Sequence, residues 1–554
     1  MSAYRNTYLT DFIVDQILKA CRSLPSMPKT VSVDLRQSDR PEFGDYSTNI
    51  AMIEASKSGT DPRTLAERLA QALSASLPKA DFVKCEVEGP GFINLFLTPR
   101  RIQSTLGCIL ADGADYGRRS PIGDRTIQVE FVSSNPTGPL TVGHGRQAVL
   151  GDVLATLSEW IGYKVQREYY FNDEGRQTDL LAESLWVRYR ELYGEEREMP
   201  LDGYYGVYLK KTAQEIADEL GDIPVFDLNT GKVFRAQGVK RMTALIKEDL
   251  ALLGVRFDNY FSEASLHRSG EVDVALAALR ERNGVYEKDG AIWLKAEEHG
   301  GAKDSVLIRS DDRPTYLMVD IAYNINKRNR GFDHVINVQG ADHHAEQTCV
   351  KAALRILGYP EAWLSYAVHQ FVSLKEKGEV LKMSTRAGRF VTLRDLIDEL
   401  GKDVVRYFMI SRKPEAHLEF DLDLARAESL DNPVTYIQYA HTRIASVFRK
   451  AGEPEADWAS VDLSPLVEPE ELDLIKTLDR FPAIIETAAT SFAPHLLAEY
   501  ALDLARSFHA YYDKHRVLTD DEGLSRARLA LLRALQTVFR NGLDALGMDA
   551  PSEM

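Results

Sequence analysis

Two short segments carry the residue types that phosphate chemistry needs. The first, Pro139-Leu140-Thr141-Val142-Gly143-His144, follows a β-rich run and opens a helix. Glycine there lets the backbone approach a ligand closely. A helix N-terminus offers unpaired N–H groups and a partial positive charge to phosphate, and His144 in the first turn can donate a hydrogen bond to charge building on an α-phosphate. The plain alternative is a helix start with a surface histidine. The second segment is Leu381-Lys382-Met383-Ser384-Thr385-Arg386-Ala387-Gly388. Two cations, a hydroxyl and a glycine in a short loop can fold over a triphosphate and follow its charge as pyrophosphate leaves, which is electrostatic stabilisation and not acid–base work. Its alternative is an exposed basic loop. A third pair, Tyr316 and Asp320, stands at i, i+4 and so projects from one helix face. Asp320 can pair with a guanidinium while the Tyr316 ring packs on it, or the two simply make a polar outer face.

The elements that must position these residues are read from periodicity. Residues 126–132 (TIQVEFV) form a short run suited to a central parallel strand. Leu150, Val153, Leu154, Leu157 and Ile161 make the buried stripe of a helix over about 144–161, and 164–171 reads as the next strand. This βαβ unit predicts a doubly wound, Rossmann-like sheet. No GxxxxGK[ST] loop is present and no GxGxxG follows the first strand, so P-loop and dinucleotide readings fail. Residues 1–115 read as a small α+β domain with helices near 6–24 and 62–76, strands near 30–36, 82–87 and 91–97, and a hairpin turn at Glu88-Gly89-Pro90-Gly91. The catalytic domain is expected over 116–395, with a charged insertion at about 175–300. The α/β pattern resumes with strand 305–309, helix 315–327, strand 334–339, helix 344–357 and strand 364–374. A connecting segment covers 396–430, and a helical domain covers 431–554.

Composition bounds the class. The 554 residues, 44% hydrophobic and 27% charged, are those of an ordinary multidomain globular protein. No run approaches the roughly 18 apolar residues that span a bilayer, and the first twenty residues lack a signal pattern, so a cytoplasmic location and no membrane partner are expected. Cysteines 21, 85, 108 and 349 are scattered with no CxxC pair, against a disulfide framework or structural zinc. Adjacent His343 and His344 point about 100° apart on a helix and make a poor metal pair. The net charge of -16 argues against indiscriminate nucleic-acid binding. Yet the C-terminal region interleaves Tyr436, Tyr439, Arg443, Phe508, Tyr511, Tyr512, Lys514, His515 and Arg516, a mixture suited to unstacked bases of single-stranded RNA. Helical core is the alternative for each of these rings.

Taken together and in order, the two phosphate segments resemble the HIGH and KMSKS signatures of class I aminoacyl-tRNA synthetases, with Gly340-Ala341-Asp342 between them. The blocks from Glu130 to Leu140, Gly340 to His344, Arg386 to Leu393, Asp431 to His441 and Phe43 to Asn49 narrow the resemblance to bacterial-type arginyl-tRNA synthetases, along nearly the whole chain. The resemblance implies ATP-dependent activation of L-arginine and its transfer to the 3′-terminal adenosine of tRNA(Arg), by a chain that is often a monomer. It implies catalytic roles for Thr141, Gly143, His144, Lys382, Ser384 and Arg386. ATP is expected at Gly143, His144, Gly340, Asp342, Lys382 and Met383, with Mg2+ arriving on the nucleotide and no zinc. Arginine is expected at Glu130, Asn135, Glu263, Tyr316 and Asp320. Asn135 would hold the substrate's amino or carboxylate end and the acidic residues its side chain. The five donors of a guanidinium want carboxylates, and each charge-assisted contact is worth about 1.5–3 kcal/mol. tRNA contacts are expected at Phe43, Tyr46 and Asn49, near the D-loop corner, and at Tyr436, Tyr439 and Arg443 in an anticodon-binding bundle. Bound tRNA is expected to help assemble the site. Two positions depart from the signatures: Thr141 replaces the first histidine and Thr385 the second lysine. Arg386, Arg125 or Lys382 would then supply the missing cation. A cysteine enzyme would want zinc thiolates, and a glutamate enzyme would want cations where Glu130 and Asp320 stand. A catalytically silent RNA-binding regulator is the alternative from outside the enzymes.

Overall fold

The computed structural model describes residues 8–554 apart from 26, 29, 39, 174, 382–390 and 453–456. Its centre is a five-stranded, wholly parallel sheet. In chain order its elements are β1 (Thr126–Glu130), α1 (Val142–Trp160), β2 (Lys164–Phe171), β3 (Asn259–Ser262), α2 (Tyr316–Asn329), β4 (His334–Gly340), α3 (His344–Ile356) and β5 (Leu364–His369). The strand order is β5-β4-β1-β2-β3. The strand centres are buried, including the polar Gln128 of β1 and Asn337 of β4. Helix α1 is covered on almost every side, and its small residues permit this. A Cβ on Gly151 would lie 2.1 Å from the Phe131 ring, so only glycine lets the helix sit there.

Three differences from the sequence expectation stand out. The insertion does not run to residue 300. Helices Arg176–Glu191, Val207–Leu220 and Leu228–Leu252 form a unit with its own core around Leu185, Trp186 and Phe234, and the chain then returns to the sheet as β3. A four-residue strand carries too little periodicity to be read. Strand Ser305–Ile308 lies outside the parallel sheet, pairing antiparallel with Ala291–Leu294. The expected strand over 364–374 is two strands. His369 ends β5, and Val372–Glu376 belongs to another small sheet, with Leu418–Asp421.

The N-terminal region is a four-stranded antiparallel sheet covered by helices Leu9–Ser23, Ile50–Ser58 and Pro62–Ser76. The predicted hairpin pairs Phe82–Glu88 with Phe92–Leu97. Helix Pro99–Asp112, unforeseen, packs on the C-terminal helices Pro469–Asp479 and Glu522–Ala545. Polar ties bind these regions together. Asp479 accepts from the backbone N–H groups of Leu9 and Thr10 at 3.0 and 3.2 Å, capping the first helix from 470 residues away. Arg406, buried, donates to the carbonyls of Leu546 and Leu253 and to Asp152.

Candidate active site

The winding of the sheet reverses between β1 and β4, and ligands of open α/β sheets bind in the crevice at the carboxyl ends of strands at such a point. A cavity of about 570 Å³ occupies that crevice. Its wall includes Glu130 at the end of β1, Asn135 in the following loop, and Thr141, Gly143 and His144 at the mouth of α1. Glu263 just after β3, Tyr316 and Asp320 on α2, and Gly340 and Asp342 at the end of β4 complete this set. The fold thus gathers the residues singled out on the catalytic strands and helices. Lys382, Met383, Ser384, Thr385 and Arg386 lie outside the described residues. The flanks of their loop are held nearby: the Leu381 N–H donates to the Leu374 carbonyl, and the Leu393 N–H to the Leu140 carbonyl, both adjoining the site. Arg125 is exposed and does not line the cavity, so it is withdrawn as the substitute cation.

At one end stands His144. The Thr141 backbone N–H, which can only donate, lies 3.1 Å from its Nδ1. Nδ1 therefore accepts, and the ring hydrogen resides on Nε2. Burial and the nearby His369 imidazole push its pKa down to about 4, so at neutral pH the ring is an uncharged N–H donor. The surface-histidine alternative fails. Thr141 replaces a histidine as the cap that orients this ring. A Cβ on Gly143 would meet nothing nearer than the Thr141 hydroxyl at 3.8 Å, leaving open space above the first turn.

At the other end the wall is acidic. Burial raises the Asp320 carboxyl well above the usual carboxylate range, and the adjoining Glu346 carboxylate adds to it, with Glu130 and Glu263 contributing. Glu346 itself is held low by His343, 3.3 Å away. Glu263 accepts from the Tyr170 hydroxyl at 2.6 Å and from Asn172 at 2.9 Å. Glu130 departs from expectation. Lys327, fully buried on α2, donates to it at 2.5 Å and the Ser133 hydroxyl at 3.0 Å, so its charge is already matched within the protein. Lys327 stands seven residues after Asp320, on the same helix face, and that spacing was visible in the sequence. Asn135 donates to Gln177 at 2.6 Å, tying the site to the first helix of the insertion. Between Glu130 and Asn135 the chain turns through Val132 and Ser133 at φ 65° and 43°. Left-handed backbone at a β-branched residue is costly and is tolerated where a site demands it.

Sequence reasoning missed Glu346 and His369. Glu346 offers no signal beyond a carboxylate in the first turn of α3. His369 offers none either, because it falls inside what reads as one strand over 364–374; only the end of β5 at His369 puts it at the ligand edge of the sheet. Among the described residues no group of three or more His, Cys, Asp or Glu side chains could hold a metal ion.

The expected RNA contacts divide. Phe43 is 37% exposed, whereas Tyr46 is 1% exposed with its hydroxyl toward Asp479, so it is core and is withdrawn as a contact. Asn49 stands at the N-terminal boundary of helix Ile50–Ser58 without a side-chain capping hydrogen bond and is half-buried. In the C-terminal bundle Phe508 and Tyr511 are also core. Lys514 and His515 are engaged by Glu470. Tyr436, Tyr439 and Arg443 remain half-buried. The Arg443 guanidinium lies over the Tyr512 and Tyr439 rings at 4.4 and 5.6 Å, and Tyr439 stacks on His509.

The chain matches the family model described as tRNA synthetases class I (R), catalytic domain, over residues 105–429. It also matches the arginyl tRNA synthetase N terminal domain over 11–97 and the DALR anticodon binding domain over 437–554. It is 44% identical to the arginine–tRNA ligase of Desulfotalea psychrophila, covering 92% of this chain and 93% of that one. With the arginine–tRNA ligase of Caldanaerobacter subterraneus it is 43% identical over 98% of both. Among solved structures, the Thermus thermophilus arginyl-tRNA synthetase superposes with a TM-score of 0.78 at 25% identity, covering 98% of this chain and 99% of that one. Fold, cavity and likeness agree along the whole length, and the chain belongs to the class I arginyl-tRNA synthetases.

Proposed function

We propose that the chain activates L-arginine with ATP and transfers it to the 3′-terminal adenosine of tRNA(Arg). The observation that carries this is the polarity of one cavity, with carboxylates at one end and a neutral N–H donor on a helix N-terminus at the other. Arginine enters with its guanidinium toward Asp320, Glu346 and Glu263, Tyr316 packing over it, and its amino end toward Asn135 and Glu130. ATP, as its magnesium complex, lies between Gly143–His144 and Gly340–Asp342. The arginine carboxylate attacks the α-phosphorus and the bond to pyrophosphate breaks. His144 donates from Nε2 to the developing charge, and the roles the family resemblance gives Lys382, Met383, Ser384 and Arg386 are to neutralise the leaving group. A ribose hydroxyl of the terminal adenosine then attacks the arginyl carbonyl, and AMP leaves.

The tRNA is held through Tyr436, Tyr439 and Arg443 on the helical bundle and through Phe43 and Asn49, which flank a strand of the N-terminal region. The reading takes the chain as a cytoplasmic monomer, for which its four unpaired cysteines fit a reducing compartment. Arginine-dependent ATP–pyrophosphate exchange, with and without tRNA, is the test. Exchange with arginine is expected and should be strongest with tRNA present. No exchange in either condition, with tRNA binding retained, would make the chain an RNA-binding regulator.

A further inference from the structure

His369 is used by none of the steps above, yet it lines the same cavity. It ends β5 directly beside Gly340 in the parallel register of β4 and β5, and it is 8% exposed. Its Nδ1 lies 3.2 Å from the Gln370 carbonyl. A carbonyl can only accept, so Nδ1 carries the hydrogen and Nε2 is left with a lone pair. That Nε2 is buried and has no hydrogen-bond partner among the described residues. A buried acceptor without a donor is unfavourable unless a ligand satisfies it. The polarity is opposite to that of His144, whose Nε2 is the donor. The two imidazoles therefore read different parts of one ligand.

The chemistry of the substrates narrows which part. Phosphate oxygens and the ring nitrogens of adenine are acceptors and cannot satisfy Nε2. The donors of arginine are cationic: its guanidinium has the carboxylates of Asp320, Glu346 and Glu263 to meet it, and its amino group has Asn135 and Glu130. ATP has donors only on its nucleoside: the 6-amino group and the 2′- and 3′-hydroxyls. We infer that His369 Nε2 accepts a hydrogen bond from the adenosine moiety of ATP and makes His369 a nucleotide-specificity residue of this site.

The inference rests on the arginine-activating reading, and wild-type exchange tests that reading separately. The probe is His369→Phe, which keeps a ring and removes the acceptor, beside His369→Gln, whose side-chain carbonyl can take its place. Pyrophosphate exchange with arginine and tRNA is followed against ATP, ITP, 2′-deoxy-ATP and 3′-deoxy-ATP, with a thermal melt of each protein. The KM for ATP should rise about tenfold or more in His369→Phe, with the KM for arginine unchanged and part of the loss restored in His369→Gln. The analogue lacking the true donor should be disfavoured by wild type and no longer distinguished from ATP by His369→Phe. ITP in that position names the amino group, and a deoxynucleotide names a hydroxyl. Should His369→Phe fail to fold, His369→Asn, polar but shorter, replaces it with the same readouts. An unchanged ATP KM, an equal rise in the arginine KM, or full retention of every analogue preference would overturn the inference while leaving wild-type exchange intact.

Discussion

Asp320→Asn separates binding from stability, because the two should move in opposite directions. Asp320 sits among Glu346, Glu130 and Glu263, and burial with these neighbours raises its carboxyl far above the usual range. A carboxyl whose folded pKa is raised binds its proton more tightly in the folded state. Folding stability must then fall as pH climbs from the unfolded value of about 4 toward the folded one, by about 1.4 kcal/mol for each pH unit climbed between the two. Asparagine is neutral at every pH, so it removes that penalty. It also removes one charge-assisted contact to arginine, worth about 1.5–3 kcal/mol, or roughly ten- to a hundredfold in affinity. The expected result is a melting temperature for Asp320→Asn that gains on wild type as pH rises from 5 to 8.5, with a KM for arginine raised at least tenfold and a KM for ATP nearly unchanged. The wild-type arginine KM should itself fall over the same pH range, since the guanidinium is met best by an ionised Asp320, whose carboxyl pKa is raised. Melts and ATP–pyrophosphate exchange at matched ionic strength measure all three. A variant that uses arginine normally, or that loses stability relative to wild type as pH rises, would refute the reasoning.

Other substitutions probe separate parts of the molecule. His144→Asn keeps a side-chain acceptor for the Thr141 N–H but lacks the Nε2 donor, so kcat for exchange should drop about 10²–10³-fold with a smaller change in ATP KM; equal loss in both would point to misplacement of α1. Lys327→Met leaves Glu130 buried without its partner and should cost about 3–5 kcal/mol in denaturant melts, much of it recovered by adding Glu130→Gln. Gly151→Val places carbon within 2.4 Å of the Phe131 ring, and a loss of about 1–3 kcal/mol or more is expected. Arg443→Ala should raise the KM for tRNA and lower its salt slope by about one, with pyrophosphate exchange at saturating tRNA unaffected.

Much of the catalytic fold was legible because its elements are long and periodic. The stripe of α1 and the short β-branched run around β1 announce a helix and a strand from local spacing alone. Where elements are short, the pattern vanishes. The four residues of β3 look like any part of the insertion, and the break after His369 is invisible without knowing which sheet each half joins. Tyr46 shows the same limit. As a residue type it suits an RNA contact, but whether it faces solvent depends on Asp479, which is 433 residues away.

The sequence by itself determined the chemistry available: a helix mouth ending in Gly143-His144, a cation-bearing loop, and carboxylates matched to a guanidinium. Residue type and spacing along one helix are local properties, and they survive without a fold. Only the tertiary structure decided how those groups are charged and which way they point. Glu130 is paired with Lys327 on another element, the Asp320 carboxyl has its pKa raised by burial and by Glu346 on a third, and His144 and His369 take opposite tautomers. Each tautomer is dictated by a single backbone group, the Thr141 N–H for one ring and the Gln370 carbonyl for the other. Protonation and tautomer are set by burial and by neighbours within a few ångströms, and distance in the chain says nothing about who those neighbours are.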